Sequence, residues 1–91
     1  MKRVHVIVRG DVQGVGYRYT MRIIAREAGV SGWVRNRHDG SVEAEVQGGA
    51  AEVDEVLAWM AGGPPGSRVD AATVTDAPLQ EQSSFEVLPT A

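Results

Sequence analysis

Gly10-Asp11-Val12-Gln13-Gly14-Val15-Gly16-Tyr17-Arg18 brings together the residue types that an oxyanion needs. Three glycines within seven residues permit a tight turn that aims several backbone N–H groups at one point. The pattern beyond the turn is helical, and a helix N-terminus adds unpaired N–H groups and partial positive charge there. Arg18 supplies a permanent charge and a planar fork of donors matched to phosphate oxygens. The stretch is predicted to cradle a phosphate or a similar oxyanion.

A second stretch, Gly32-Trp33-Val34-Arg35-Asn36-Arg37-His38-Asp39-Gly40-Ser41-Val42, is followed by Gly48. Strand parity puts Asn36 on the face of core-directed Val34, with Trp33, Arg35 and Arg37 on the other. A neutral amide both accepts and donates hydrogen bonds, so Asn36 can hold a water while touching a phosphate oxygen. Asparagine is also a common turn residue, and Asn36 stands just ahead of a hairpin signal. Composition leaves both readings open.

The elements that must position these residues follow from periodicity. Val4, Val6 and Val8 alternate with His5, Ile7 and Arg9, which predicts a half-buried strand ending near Gly10. Met21, Ile24, Ala25 and Ala28 form one apolar helical face, and Gly29 sits where a left-handed C-cap belongs. A strand resumes over 31–37, and Asp39-Gly40 predicts a two-residue hairpin into Val42, Ala44 and Val46. Val53, Val56, Leu57 and Met60 predict a second helix, with Glu52, Asp54 and Glu55 early in it, ended by Gly62-Gly63-Pro64-Pro65-Gly66. Residues 69–75 are strand-like, but Ala71 and Ala72 blur the alternation, as at a bulge or sheet edge. Residues 85–88 are the last strand. The order is β-α-β-β-α-β plus a short extra strand piece, an α+β ferredoxin-like sandwich with an antiparallel sheet and both helices on one face.

Jointly, the two stretches resemble the signatures of the acylphosphatase family. Gly10-x-Val12-Gln13-Gly14-Val15-Gly16-Tyr17-Arg18 is similar to the first, and Gly32-Trp33-Val34-Arg35-Asn36 with Gly40, Val42 and Gly48 to the second. The similarity covers nearly the whole chain and implies the same ferredoxin-like fold. It implies hydrolysis of the carboxyl-phosphate bond of acyl phosphates, with inorganic phosphate as a product. The family's phosphate-binding arginine falls on Arg18 and its water-orienting asparagine on Asn36; Gln13, Gly14, Val15, Gly16 and Tyr17 would line the substrate loop. Tyr17 departs slightly, at a position where the family also uses phenylalanine, and the tail beyond Leu88 is short and uncharged.

Such chemistry suits so few groups. The leaving carboxylate needs no proton at neutral pH, and phosphoryl transfer relies mainly on positioning and charge stabilisation. Backbone N–H groups and Arg18 can stabilise the charge, while Asn36 aligns water in line with the departing carboxylate. The resemblance further suggests the substrate's own phosphate oxygens as the proton acceptor. His5 is opposite in parity to the valines and reads as an exposed structural histidine. His38 lies near Asn36, yet nothing adjacent in sequence orients it as a nucleophile or base. Asp11 reads as a loop stabiliser. No His, Asp or Glu cluster has metal-ligand spacing, so neither a metal nor another cofactor is expected.

Composition bounds the rest. Ninety-one residues suit a single domain, 1–91, that buries roughly 60–70% of its unfolded surface. With no cysteine, disulfides and thiolate catalysis are excluded. The start has no long apolar region and no run reaches membrane-span length, so a cytoplasmic protein without a membrane partner is expected; a monomer is the expected state. Residues 1–38 carry eight basic and two acidic side chains, whereas 39–91 carry one basic and ten acidic, giving +6 and −9 within a net −3. Two solvated faces explain this, and so does a positive anion site on an acidic body; the glycine turn favours the second.

Neither G-x-x-x-x-G-K-S/T nor a complete dinucleotide fingerprint occurs. A small RNA-binding or regulatory ferredoxin-like module is the rival, because RNA-recognition domains share this element order. Those stack bases on aromatics of the central strands, but residues 41–47 offer none and present carboxylates instead, which repel nucleic acid. An acylphosphatase-like domain of a larger carbamoyl-transfer system is the third reading; the chain's end, matching the domain's end, favours a free-standing enzyme. The small-molecule acyl phosphate is therefore the expected partner.

Overall fold

The computed structural model describes all 91 residues. In chain order they form β1 (Lys2–Asp11), α1 (Tyr17–Ala28), β2 (Ser31–Asn36), β3 (Val42–Gly48), α2 (Ala50–Gly62), β4 (Arg68–Ala77) and β5 (Phe85–Val87). The strands make one sheet in the order β4-β1-β3-β2-β5, with the two central strands paired Val4 to Val46, Val6 to Ala44 and Val8 to Val42. Those side chains share one face and are buried there with Val34, Met21, Ala25, Val53, Val56 and Met60. Both helices thus pack on the valine face. Burial of each such valine or methionine side chain contributes about 1.5–3 kcal/mol before chain entropy is set against it.

Helix α1 ends as its sequence predicts. Gly29 is left-handed at φ 78°, and the N–H groups of Gly29 and Val30 donate to Arg26 and Ala25 carbonyls at 3.2 and 3.1 Å. This is a Schellman cap, which turns the chain directly into β2.

Two details differ from the sequence reading, and a third settles what it left open. β5 pairs with β2 in parallel, not antiparallel. β4 finishes beside the start of β1, where Ala77 pairs with Arg3, so a strand starting from that end must run back in the direction of β2. Residues 78–84 make the crossing, with Gln82 Nε2 donating to Gly32 O at 2.7 Å and Gly32 N–H donating to Ser84 O at 3.0 Å. The hairpin is also longer than two residues: Gly40 N–H donates to Arg37 O at 3.1 Å and Arg37 N–H to Ser41 O at 2.9 Å. The turn therefore centres on His38 and Asp39, and Gly40 takes the left-handed position after them at φ 92°. Finally, β4 is the full-length fourth strand and β5 the short extra piece. β4 is an exposed edge with a register shift opposite Arg9 and Gly10, which explains its blurred alternation.

The opposite sheet face is polar but internally paired. Arg3 is buried there and donates to Glu45, to Gln47 Oε1 at 3.3 Å and to Gln82 Oε1 at 3.1 Å. His5 is half-buried rather than exposed and lies 2.7 Å from Glu43, which also accepts from Arg35 at 2.7 Å.

Candidate active site

The loop between β1 and α1 is held by its apolar residues and presents its glycines. Val12 is buried and Val15 packs partly into the core, which turns Gly14 and Gly16 outward. Both are left-handed, at φ 74° and 79°. A Cβ on Gly14 would meet nothing within 4 Å, and one on Gly16 only Thr20 Oγ1 at 4.0 Å, so backbone conformation rather than space demands glycine. The N–H groups of Gln13, Gly14, Val15 and Gly16 donate to no group of the protein, and α1 begins without a side-chain cap. The first helical bond is that of Thr20 N–H to Gly16 O at 3.0 Å. A row of free donors at a helix N-terminus is an anion-binding arrangement.

A cavity of about 300 Å³ lies over this loop, and Gly14, Gly16, Arg18 and Asn36 all line it. The two residues singled out as catalytic are therefore brought to one site from α1 and β2. Asn36 Oδ1 is buried and has no hydrogen-bond partner. An unsatisfied buried acceptor is costly, and such groups cluster where a ligand or water completes them. The backbone of Asn36 is fixed at the same time: its carbonyl accepts from Ala91 N–H at 3.0 Å, and His38 N–H donates to Ala91 O at 3.0 Å. The chain's last residues thus extend the β5 edge up to the site.

Arg18 carries an uncompensated charge. Seven of the nine Lys and Arg side chains are ion-paired, and the exceptions are Arg18 and Arg22. Both exceptions line the cavity.

The remaining loop residues divide by role. The Gln13 side chain does not line the cavity; its Nε2 donates to Arg37 O at 2.8 Å and Ser41 O at 2.9 Å, tying the loop to the β2–β3 turn. Val15 also lies outside the cavity lining, and both can serve an anion only through their N–H groups. Tyr17 borders the cavity, but its hydroxyl donates to Met60 O at 2.7 Å in the core, and burial pushes the phenol well above its usual pKa. Asp11 pairs with Arg68 at 2.9 Å, and His38 is exposed in the turn. Asp39 holds that turn by accepting from Ser41 Oγ at 2.6 Å and Ser41 N–H at 2.9 Å, which lower its pKa to about 2.

The family model described as Acylphosphatase matches residues 4–87. The chain belongs to the acylphosphatase family. An acylphosphatase from an Azoarcus species is 51% identical over 83 residues, spanning 91% of this chain and 85% of that protein. One from a Synechococcus species is 48% identical over 88 residues, with 97% and 94% covered. The crystal structure of acylphosphatase from Bacillus subtilis matches with a TM-score of 0.93 at 34% identity, covering 97% of this chain and 99% of that one. As an acylphosphatase, the protein hydrolyses acyl phosphates to a carboxylate and inorganic phosphate. No helix of this acylphosphatase is long and apolar enough to cross a membrane.

Sequence reading missed Tyr19, Arg22 and Val87, which complete the cavity wall. Arg22 had a signal, since it stands four residues after Arg18 and so on the same helical side. Val87 had none, because its approach depends on the parallel pairing of β5.

Proposed function

We propose that the phosphoryl group of an acyl phosphate is held by the Gln13–Gly16 N–H groups, the α1 N-terminus and Arg18, while Asn36 orients the attacking water. The observation that carries this reading is the buried, unpartnered Asn36 Oδ1 in the cavity that Arg18 also lines. Water oxygen attacks phosphorus, the phosphorus–oxygen bond to the acyl group breaks, and the carboxylate leaves with the electron pair. It leaves unprotonated, so no general acid is required; the water's proton passes to a phosphoryl oxygen. The loop donors and Arg18 stabilise charge spread over the phosphoryl oxygens.

Residues 1–91 act in this reading as a single cytoplasmic domain and as a monomer, without a metal, a catalytic histidine or a nucleic-acid partner. Support for setting nucleic acid aside comes from the open sheet face, where Arg3, His5 and Arg35 already engage Glu45 and Glu43. No three His, Asp or Glu side chains are grouped as metal ligands would be.

Steady-state hydrolysis of acetyl phosphate tests the assignment. Arg18→Gln should weaken inhibition by inorganic phosphate and lower kcat/KM by about 10³-fold, the scale of arginine stabilisation in phosphoryl transfer. Arg18→Lys should not restore the rate, because a point charge cannot reproduce the two-pronged contact. EDTA and His38→Gln should leave the rate intact. Near-wild-type turnover by Arg18→Gln would overturn the assignment.

A further inference from the structure

We infer that Arg22 forms a second anion subsite, so that the enzyme favours acyl phosphates whose acyl group carries a carboxylate or phosphate of its own. The inference rests on reading Arg18 and the glycine loop as the phosphoryl site. In a chain with 12 acidic and nine basic residues, every Lys and Arg outside this cavity has found a carboxylate. Arg22 has not. Its guanidinium instead lies over the Tyr19 ring, 5.0 Å from the ring centre. A cation on an aromatic face is held in place without being neutralised, which keeps its charge available to a ligand.

Position and space agree with this role. Four residues along α1 put Arg22 on the side of Arg18, about 6 Å further along the axis. The cavity holds about 300 Å³. At about 30 Å³ per water-sized group, a phosphoryl group of five heavy atoms fills roughly half of it. Tyr19, Arg22 and Val87 bound the cavity as well as the phosphoryl-binding residues do, so acyl atoms have both an apolar wall and a cation to meet. An extended chain advances about 1.2 Å per bond, so 6 Å corresponds to roughly five bonds. That is the span from the phosphorus of succinyl phosphate to its free carboxylate carbon.

Butyryl phosphate has the same chain length and a methyl group in place of that carboxylate, which makes it the neutral reference. Wild-type kcat/KM should favour succinyl over butyryl phosphate by about tenfold, the size of one charge-assisted hydrogen bond. Arg22→Gln should bring the ratio close to one, and Arg22→Lys should retain part of it. High salt should shrink the wild-type ratio. A parallel run with 3-phosphoglyceroyl phosphate distinguishes a subsite for phosphate from one for carboxylate, as whichever loses more in Arg22→Gln is the better fit. The Arg22 side chain makes no hydrogen bond within the protein, and thermal melting of the variant checks that the fold is intact. A succinyl-to-butyryl ratio unchanged in Arg22→Gln, with hydrolysis still dependent on Arg18, would overturn the second subsite alone. Turnover of both substrates independent of Arg18 would instead overturn the phosphoryl site on which it rests.

Discussion

Gln13 Nε2 donates to Ser41 O at 2.9 Å, so the glycine loop and the hairpin that follows Asn36 are joined by one side chain. The same amide reaches Arg37 O at 2.8 Å, which places donors to two turn carbonyls on a single loop residue. The glycine loop and Asn36 come from different elements, and this link ties one to the turn that follows the other. The Gln13 side chain is thus engaged in this link, and only its N–H stays free toward the cavity side of the loop.

Gln13→Ala should loosen both partners together. Loss of two hydrogen bonds with part-buried carbonyls is expected to cost about 1–3 kcal/mol of stability. Urea denaturation measures this, and phosphate inhibition of the same variant should weaken several-fold because the loop is no longer tied. Unchanged stability together with unchanged inhibition would mean that the link does no positioning.

Tyr17→Phe isolates the core bond to Met60. The variant should lose about 1 kcal/mol at pH 7, the net value of a typical hydrogen bond. Burial raises the folded-state pKa of this phenol above its usual 10.0. Its contribution is therefore full below pH 10.0 and lost as pH rises toward the folded value. Denaturation curves at rising alkaline pH should converge for the two proteins; a constant gap would show that the hydroxyl is not the group responsible.

Acid should act on the turn beside Asn36. Asp39 titrates at about 2 rather than at the usual 3.8, because Ser41 hydroxyl and N–H donate to its charged form. Glu43 is also lowered: burial alone would raise it, but hydrogen bonds from His5 and Arg35 outweigh that. Both carboxylates stabilise the fold above their ordinary range, and that stabilisation disappears as pH falls through the lowered values. Melting temperature followed from pH 5 downward should fall less steeply in Asp39→Asn than in the wild type. Identical slopes would remove Asp39 from the account.

The valine alternation of β1 and β3 and the helical faces of α1 and α2 were legible because each has one buried side with a fixed period. β4 was not, since an edge strand exposed on both faces has no burial pattern to reveal. The parallel pairing of β5 depends on where β4 ends and on the crossing by residues 78–84, neither of which a local pattern encodes. Buried Arg3 escaped notice partly for a similar reason: Glu45 and Gln47 lie on the neighbouring strand, but Gln82, its third partner, lies on that crossing segment. At the site, residue types marked the glycine loop, Arg18 and Asn36. Side-chain direction had to come from the fold: Gln13 turns to the hairpin, Val15 and Tyr17 to the core.

The proposed role of Asn36 is to act on the attacking water rather than on the bound phosphoryl group. The most direct measurement is kcat for acetyl phosphate alongside the competitive inhibition constant for inorganic phosphate, in wild type and Asn36→Ala, with circular dichroism confirming the fold. An interaction made chiefly in the transition state should show a severe loss of kcat while phosphate affinity stays within about a few-fold. A variant that keeps near-wild-type kcat, or loses phosphate affinity in proportion to its rate, would contradict the account.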